Sequence, residues 1–480
     1  NIPIVVSPRI GFTYKIPEEG LVIRGGTGIF VGRMPLVWPG GIFNNNGINQ
    51  ASFTVSSSQN STSLPLITGF KADPNNQWTA AQLGITTTPK GSLNLTSETL
   101  ELPTVWRSSL AADKKLGNGW SSTFEITLTK NLSEIDYMNL NLSAPIGTTV
   151  GPDSRLVYAT GGTLGNRVDI PGGNPYTDVI LLTNTPSTKD KGFAYNFVAS
   201  LTKRTNTGFT FDVNYAFGNS LIMNEGTSSV NYSQWRFTET VNGRNNINRN
   251  ISDFSQGHRI FAYLSKKFSY AKNKLATTLS LTYTGQSGSP VSYVYAGSSM
   301  VRDADPSGGL TNDLIYVHTS SDLAGMTFLS NTVNGVTFTP DQQKAALNTY
   351  IQNDGYLKTR RGQFAERNGG RTPFTNILDF RIAQDFNIKL GKDRVQFQLV
   401  YQIANVGNLI NRNWGRNYFA ANDQVGLVTF VGYASTTNLT PQYRFNPAFN
   451  TNGAFNVSDS PVPNYGSRWF SQLEFRLNLF

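Results

Sequence analysis

Trp469-Phe-Ser-Gln-Leu-Glu-Phe-Arg-Leu-Asn-Leu-Phe480 alternates apolar and polar residues almost to its last position. Leu473, Phe475, Leu477 and Leu479 share one face of such a strand, and Gln472, Glu474, Arg476 and Asn478 share the other. A strand with one greasy and one charged face separates lipid or core from water. Stopping on an aromatic, it reads as the closing strand of an outer-membrane β-barrel, with an edge strand of a soluble sandwich as the alternative.

Composition bounds the choice. The chain of 480 residues is long enough for several soluble domains or for a large piece of one barrel. No run of 18 apolar residues exists, so helices are not the spanning element, whereas half-polar barrel strands escape that test. There is no Cys, and His258 and His318 are the only histidines, so a thiolate or His-rich metal site cannot be assembled. The net charge of +10 comes without a basic helix or nucleic-acid motif. A basic lumen, or contact with anionic headgroups, accounts for it without nucleic acid. The opening Asn1-Ile-Pro has no charged-then-apolar leader, so an export signal is expected outside this sequence.

The same alternation recurs in pairs upstream of the last strand. Residues 7–16 set Ile10, Phe12, Tyr14 and Ile16 against Arg9, Thr13 and Lys15, then turn at Pro17-Glu-Glu-Gly20 into residues 21–33. Residues 104–112 and 120–131 flank a turn at Leu116-Gly-Asn-Gly119. Phe193, Tyr195, Phe197, Ala199 and Leu201 align before Thr205-Asn-Thr-Gly208, and Phe209, Phe211, Val213, Tyr215 and Phe217 align after it. Residues 259–268 and 275–284 form a fourth pair, and residues 377–390 and 395–403, around Gly391-Lys-Asp393, a fifth. Aromatics this dense on one face belong against lipid, and Trp106, Trp120, Trp235 and Trp469 near strand ends read as interfacial girdle residues.

Short turns alternate with long polar connections, as bacterial barrels place short turns in the periplasm and long loops outside. The expectation is an all-β, antiparallel transmembrane β-barrel portion of about 11 strands, with long extracellular loops and one short loop helix. First and last strands would then run the same way, whereas an antiparallel barrel closes on an even number. The chain is therefore expected to be the C-terminal part of a longer barrel, residues 1–480 forming one unit whose closing strands lie upstream. The loop helix is written by Thr339 as N-cap, Pro340 at the first position and Gln342 as capping-box partner, with Leu347, Tyr350 and Ile351 on one face.

Ser7-Pro-Arg-Ile-Gly-Phe12, Arg24-Gly-Gly-Thr-Gly-Ile-Phe-Val-Gly-Arg33, Gly285-Gln-Ser-Gly-Ser-Pro290, Asn312-Asp-Leu-Ile-Tyr316, Arg361-Gly-Gln-Phe-Ala-Glu-Arg-Asn-Gly369 and Asn405-Val-Gly-Asn-Leu409 carry a family resemblance. They resemble the C-terminal barrel half of Oar-like TonB-dependent outer-membrane receptors of Bacteroidota. The resemblance implies a barrel of roughly 22 strands with a plugged lumen. It also implies a contact with TonB through a part preceding Asn1. One departure is Phe480, which has the parity of Glu474 and Arg476 rather than of Leu473 and Phe475. A bulge near the end, or an interfacial Phe480, would reconcile it.

Two clusters invite chemistry. Asp303, Asp305 and Ser307, with Gly308 at the sixth position and Asn312 and Asp313 near the end, place oxygens as a Ca²⁺ loop does. Leu314 stands where the bidentate acid belongs, and an Asx-stabilised turn is the alternative to a structural calcium ion. Arg360, Arg361, Arg367 and Arg371, with Tyr293, Tyr295 and Trp414, could contact an anionic ligand or a plug; ion pairing and packing among the loops are the alternatives. No nucleophile triad or zinc spacing points to an enzyme. The expected role is transport across the bacterial outer membrane, with lipid and TonB as partners. The alternative is a scaffold barrel serving a surface lipoprotein or another membrane-complex subunit.

Overall fold

The computed structural model describes residues 5–44, 46, 71–79, 82, 91–159, 168, 171, 173, 175–303, 312–390, 393–449, 456–457 and 467–479. Eleven long strands follow one another in chain order across a single antiparallel sheet. They are β1 (Arg9–Ile16), β2 (Leu21–Val31), β3 (Thr104–Gly117), β4 (Trp120–Ser133), β5 (Phe193–Arg204) and β6 (Phe209–Ile222), followed by β7 (Gly257–Tyr270), β8 (Leu275–Gln286), β9 (Thr375–Leu390), β10 (Asp393–Ala404) and β11 (Phe470–Leu479). A two-residue strand, Asn250–Ile251, adds to the end of β6. Every hairpin expected from the alternation is present, most strands running a turn longer than the pattern suggested. Once two strands are in register, backbone pairing continues past the last alternating residue.

The register puts the apolar faces side by side. Phe12 lies opposite Gly25, which lies opposite Leu110, and the row continues through Ile126, Phe197 and Phe217. At the other edge Leu275, Phe386, Phe397 and Leu477 stand in one row. These residues face away from protein: Phe12, Leu110, Ile126, Leu473, Phe475 and Leu477 are all exposed. An apolar face of this extent on a contiguous row of strands is the lipid-facing surface of a membrane wall.

Charged side chains occupy the opposite face. Arg24 Nε donates to Asp113 Oδ2 and its Nη2 to Glu125 Oε2, both at 3.0 Å, bridging β2, β3 and β4. Lys267 Nζ donates to Asp385 Oδ2 at 3.1 Å and Gln398 Nε2 to Asp385 Oδ1 at 2.6 Å, bridging β7, β9 and β10. Glu474 and Arg476 pair with each other on this face. β11 therefore has the expected parity. Its ladder with β10 is unbroken from Phe470 to Leu479, and Phe480 lies outside the described residues.

The connections alternate as expected. β1–β2, β3–β4, β5–β6, β7–β8 and β9–β10 are joined by short turns, and the remaining connections are long. β1 and β11 are the two edges of the path, and an odd number of antiparallel strands makes them run the same way. Of the tryptophans expected at the interfaces, Trp106 and Trp469 are exposed near strand ends. Trp235 is not a girdle residue: it is buried in a folded connection and donates to Asn245 Oδ1 at 2.8 Å.

The short turns depend on left-handed backbone. Asn118 and Gly119 have φ of 49° and 78°. Gly119 also lies under the next hairpin, where its carbonyl accepts from Arg204 N at 2.9 Å. A Cβ on Gly119 would stand 1.9 Å from the Arg204 oxygen, whereas one on Gly117, at φ 83°, meets nothing within 4 Å. Gly117→Ala is expected to cost only the left-handed penalty of about 1–2 kcal/mol. Gly119→Ala should lose most of the folded, heat-modifiable band on an unheated denaturing gel. Equal effects of the two substitutions would refute this account of the turn.

Candidate functional site

The long connections are packed structures. Strands from the β8–β9 and β10–β11 connections build a mixed sheet in the order Thr327–Phe328, Pro441–Arg444, Gln424–Tyr433, Pro290–Gly297, Gly370–Arg371. Pro290–Gly297 and Gln424–Tyr433 run parallel, although they come from different connections. Val291, Tyr293, Tyr295, Met300, Leu427 and Phe430 form part of its core. The helix Pro340–Asn353 covers this core with Leu347 and Ile351. Its capping box is as expected, the Thr339 and Gln342 side chains each accepting from the other's backbone N–H.

A second core joins three other connections. Gly91–Thr96, Tyr176–Asn184 and Ile135–Asn139 form a three-stranded sheet. Trp38, Tyr137, Ile180, Leu182 and Trp235 bury their side chains against it.

Buried charges connect the two cores, each with a partner, as burial requires. Arg155 is fully buried, donates to Asp153 Oδ1 at 2.6 Å and to Leu314 O at 2.7 Å, and lies over the rings of Tyr295 and Phe364. Arg244 pairs with Asp303, whose other oxygen accepts from Arg244 N at 2.6 Å.

The arginines named either as ligand or plug contacts or as ion-pair partners hold connections together. Arg361 donates to His318 O and Asn348 O at 3.0 and 3.1 Å. Arg367 is buried and donates to Ile222 O and Met223 O at 3.1 and 2.9 Å, pinning the outer unit to the end of β6. Arg371 donates to Gly288 O and Ser255 Oγ. Arg360 donates to Phe364 O and lies 3.4 Å from Glu366, an ion pair of the kind weighed as the alternative. Tyr293 and Tyr295 are core residues with hydroxyls on Asp354 and Asp153, so they pack among the connections; of these three aromatics Trp414 is the exposed one.

The ends of the proposed calcium loop are engaged within the protein. Asp303 is held by Arg244, and Asp313 Oδ2 accepts from Ser299 Oγ at 2.8 Å and from Met300 N. Asn312 Oδ1 accepts from Gln424 at 3.0 Å, while Asp305 and Ser307 lie outside the described residues. A calcium ion would compete with a guanidinium for Asp303. Chelation is thus expected to leave the melting temperature of the purified protein unchanged, and a fall would restore the calcium reading.

A cavity of about 270 Å³ opens between residues 239–250 and 314–366, its wall including Glu239, Asn242, Asn248, Arg360, Phe364 and Glu366. Sequence reasoning passed over Glu239, an isolated acid. The visible signal was the asparagine run Asn242, Asn245, Asn246, Asn248 and Asn250.

Lipid-facing rows, a charged inner face and short turns at one rim define a transmembrane β-barrel wall. The chain belongs to the outer membrane beta barrel domain family, whose model matches residues 5–446, and it resides in the bacterial outer membrane. None of the curated proteins matches it. Among solved structures, the outer membrane transporter YddB from Escherichia coli is similar at a TM-score of 0.41 and 10% identity, with 99% of this chain and 40% of that chain covered. A mutant of the ferric enterobactin receptor PfeA from Pseudomonas aeruginosa is similar at 0.29 and 11% identity, with 92% and 46% covered. The chain thus spans less than half the length of these structures, and the family match carries the assignment.

His318, in the outer unit, offers a pH test. It is buried, its two ring nitrogens have no hydrogen-bond partner among the described residues, and Tyr316 and Tyr443 meet it edge-on. Burial pushes its pKa down from 6.5 to about 4, against the opposing pull of Asp153 and Asp322. The unfolded chain therefore takes up a proton that the folded one refuses. Stability from this group is complete above about pH 6.5 and falls as the pH drops toward 4, by up to about 3 kcal/mol. Hydrogen-exchange protection around residues 316–328 should decline over that window, and His318→Phe should flatten the decline. An unchanged slope in the variant would refute it.

Proposed function

We propose that this chain forms part of the wall and the extracellular ligand-capturing loops of a TonB-dependent outer-membrane transporter. The observation that carries the reading is the folded outer unit. Long connections that merely joined strands would not need two hydrophobic cores, buried ion pairs and an arginine pinned to the wall. A rigid outer unit with a cavity is what ligand capture above a barrel requires. The motifs shared with Oar-like receptors add the TonB contact. Further strands are proposed to pair at β1 and β11, because same-direction edges leave backbone groups that must be satisfied in lipid. The chain acts as a wall and binding surface rather than a catalyst, and the transported ligand is open.

The scaffold barrel is the second reading, favoured by how completely the arginines are used in holding structure. Loss of the tonB gene separates the two. In the transport reading, a strain lacking TonB reproduces the growth defect of a strain lacking this protein. If the barrel-deletion defect appears in full while the tonB strain lacks it, transport is refuted and the scaffold stands.

A further inference from the structure

We propose that the cavity between the β6–β7 and β8–β9 connections binds the protonated primary amine of a small polar ligand, with Glu239 as its counter-ion. This rests on the transport reading and adds a chemical class for the ligand.

The charges in the wall of the cavity are unequal. Arg360 is spent on Glu366 and on the Phe364 carbonyl. Glu239 has no cation within ion-pair distance among the described residues. One of its oxygens accepts from Gln424 Nε2 at 3.0 Å, and its own backbone N–H is the other donor to the carboxylate among the described residues, so both donors are neutral. Burial raises its carboxyl pKa, with Gln424 and Arg367 acting in the opposite direction. Behind Glu239 lies a smaller cavity of about 80 Å³ lined also by Glu225, Asp253 and Arg367, three carboxylates to one guanidinium. A half-withdrawn carboxylate without an ion-pair partner, in a field of excess negative charge, is stabilised by a cation.

The lining favours an ammonium group over a metal ion. A hard cation takes six or more oxygens, whereas an ammonium needs three acceptors. Glu239 supplies one side of that set. Among the described residues the Asn248 side-chain amide has no protein partner, and Asn242 uses its Oδ1 on Leu156 N at 3.1 Å while its NH₂ has none. These amides can read the polar groups next to an amine. Leu314 and the Phe364 ring cover its carbon skeleton. At about 270 Å³ the space is near the lower limit of the roughly 300–1,000 Å³ of small-molecule sites. That suits a body the size of an amino-acid residue or an amino sugar.

The test is calorimetry on the purified full-length protein in detergent with four probes: dialanine, N-acetyl-dialanine, glucosamine and N-acetylglucosamine. At least one free amine should bind about tenfold or more tightly than its acetylated form. Preference confined to dialanine assigns a peptide or amino-acid source, and preference confined to glucosamine an amino-sugar source. Glu239→Gln, which keeps the shape and the Gln424 contact, should erase the preference without moving the melting temperature. Asn248→Ala should weaken binding while keeping it. No binding at millimolar concentration, equal binding of the acetylated forms, or a preference that survives Glu239→Gln overturns the proposal. Detergent binding needs neither TonB nor energy, so this failure is separable from failure of the transport reading.

Discussion

Backbone hydrogen bonding inside hydrocarbon is the constraint on which the rest of this structure depends. Lipid offers no partner for a peptide N–H or C=O, so each spanning strand must pair with neighbours on both sides. That requirement puts consecutive strands of the chain beside one another, forces short turns at one rim and drives all long connections to the other. It also makes register unforgiving. A slip of one residue would carry Arg24, Asp385 or Glu474 from the inner face into lipid. The inner charges answer one another across strands, so the ladders that satisfy the backbone also bring carboxylates to the guanidinium and ammonium groups they need.

Beyond the wall a different balance applies. The outer connections face water and build cores like those of soluble domains, with alternating burial, a capped helix and ion pairs sealed between sheets. The two regimes meet at Arg367, whose guanidinium caps the last carbonyls of β6 while its backbone N–H donates to Asn250 Oδ1 at 3.3 Å. The outer unit is thereby fixed to a wall strand. Pinning of this kind explains why so many arginines near the cavity have their donors committed, and why Glu239, which has no such commitment to a cation, stands apart electrostatically.

Much of the wall was legible in the residues because its physics is local and periodic. Lipid on one side and polar lumen on the other impose a period of two on each strand, so Phe193 to Phe217 or Leu378 to Ile403 announce themselves without knowledge of their neighbours. The helix was legible for the same reason, since Thr339, Pro340 and Gln342 act within four residues of one another. For Tyr293 and Tyr295 the sequence leaves ligand contact and loop packing open, and it puts Trp235 at the membrane interface, because composition does not distinguish a ring that meets solvent from one that meets another connection.

The sequence by itself determined the strands, their alternating faces, the side on which each turn lies and the odd count that makes the edge strands run the same way. Tertiary structure alone decided what the long connections do. Pro290–Gly297 beside Gln424–Tyr433, Arg155 under Leu314, and Glu239 and Phe364 lining one cavity join residues roughly one hundred and twenty-five to one hundred and sixty positions apart. Those contacts obey packing and charge pairing rather than any repeat along the chain, so no periodicity encodes them. The last strand, legible from its first residue to Leu479, and the cavity above the wall, invisible until the connections folded together, are the two ends of that division.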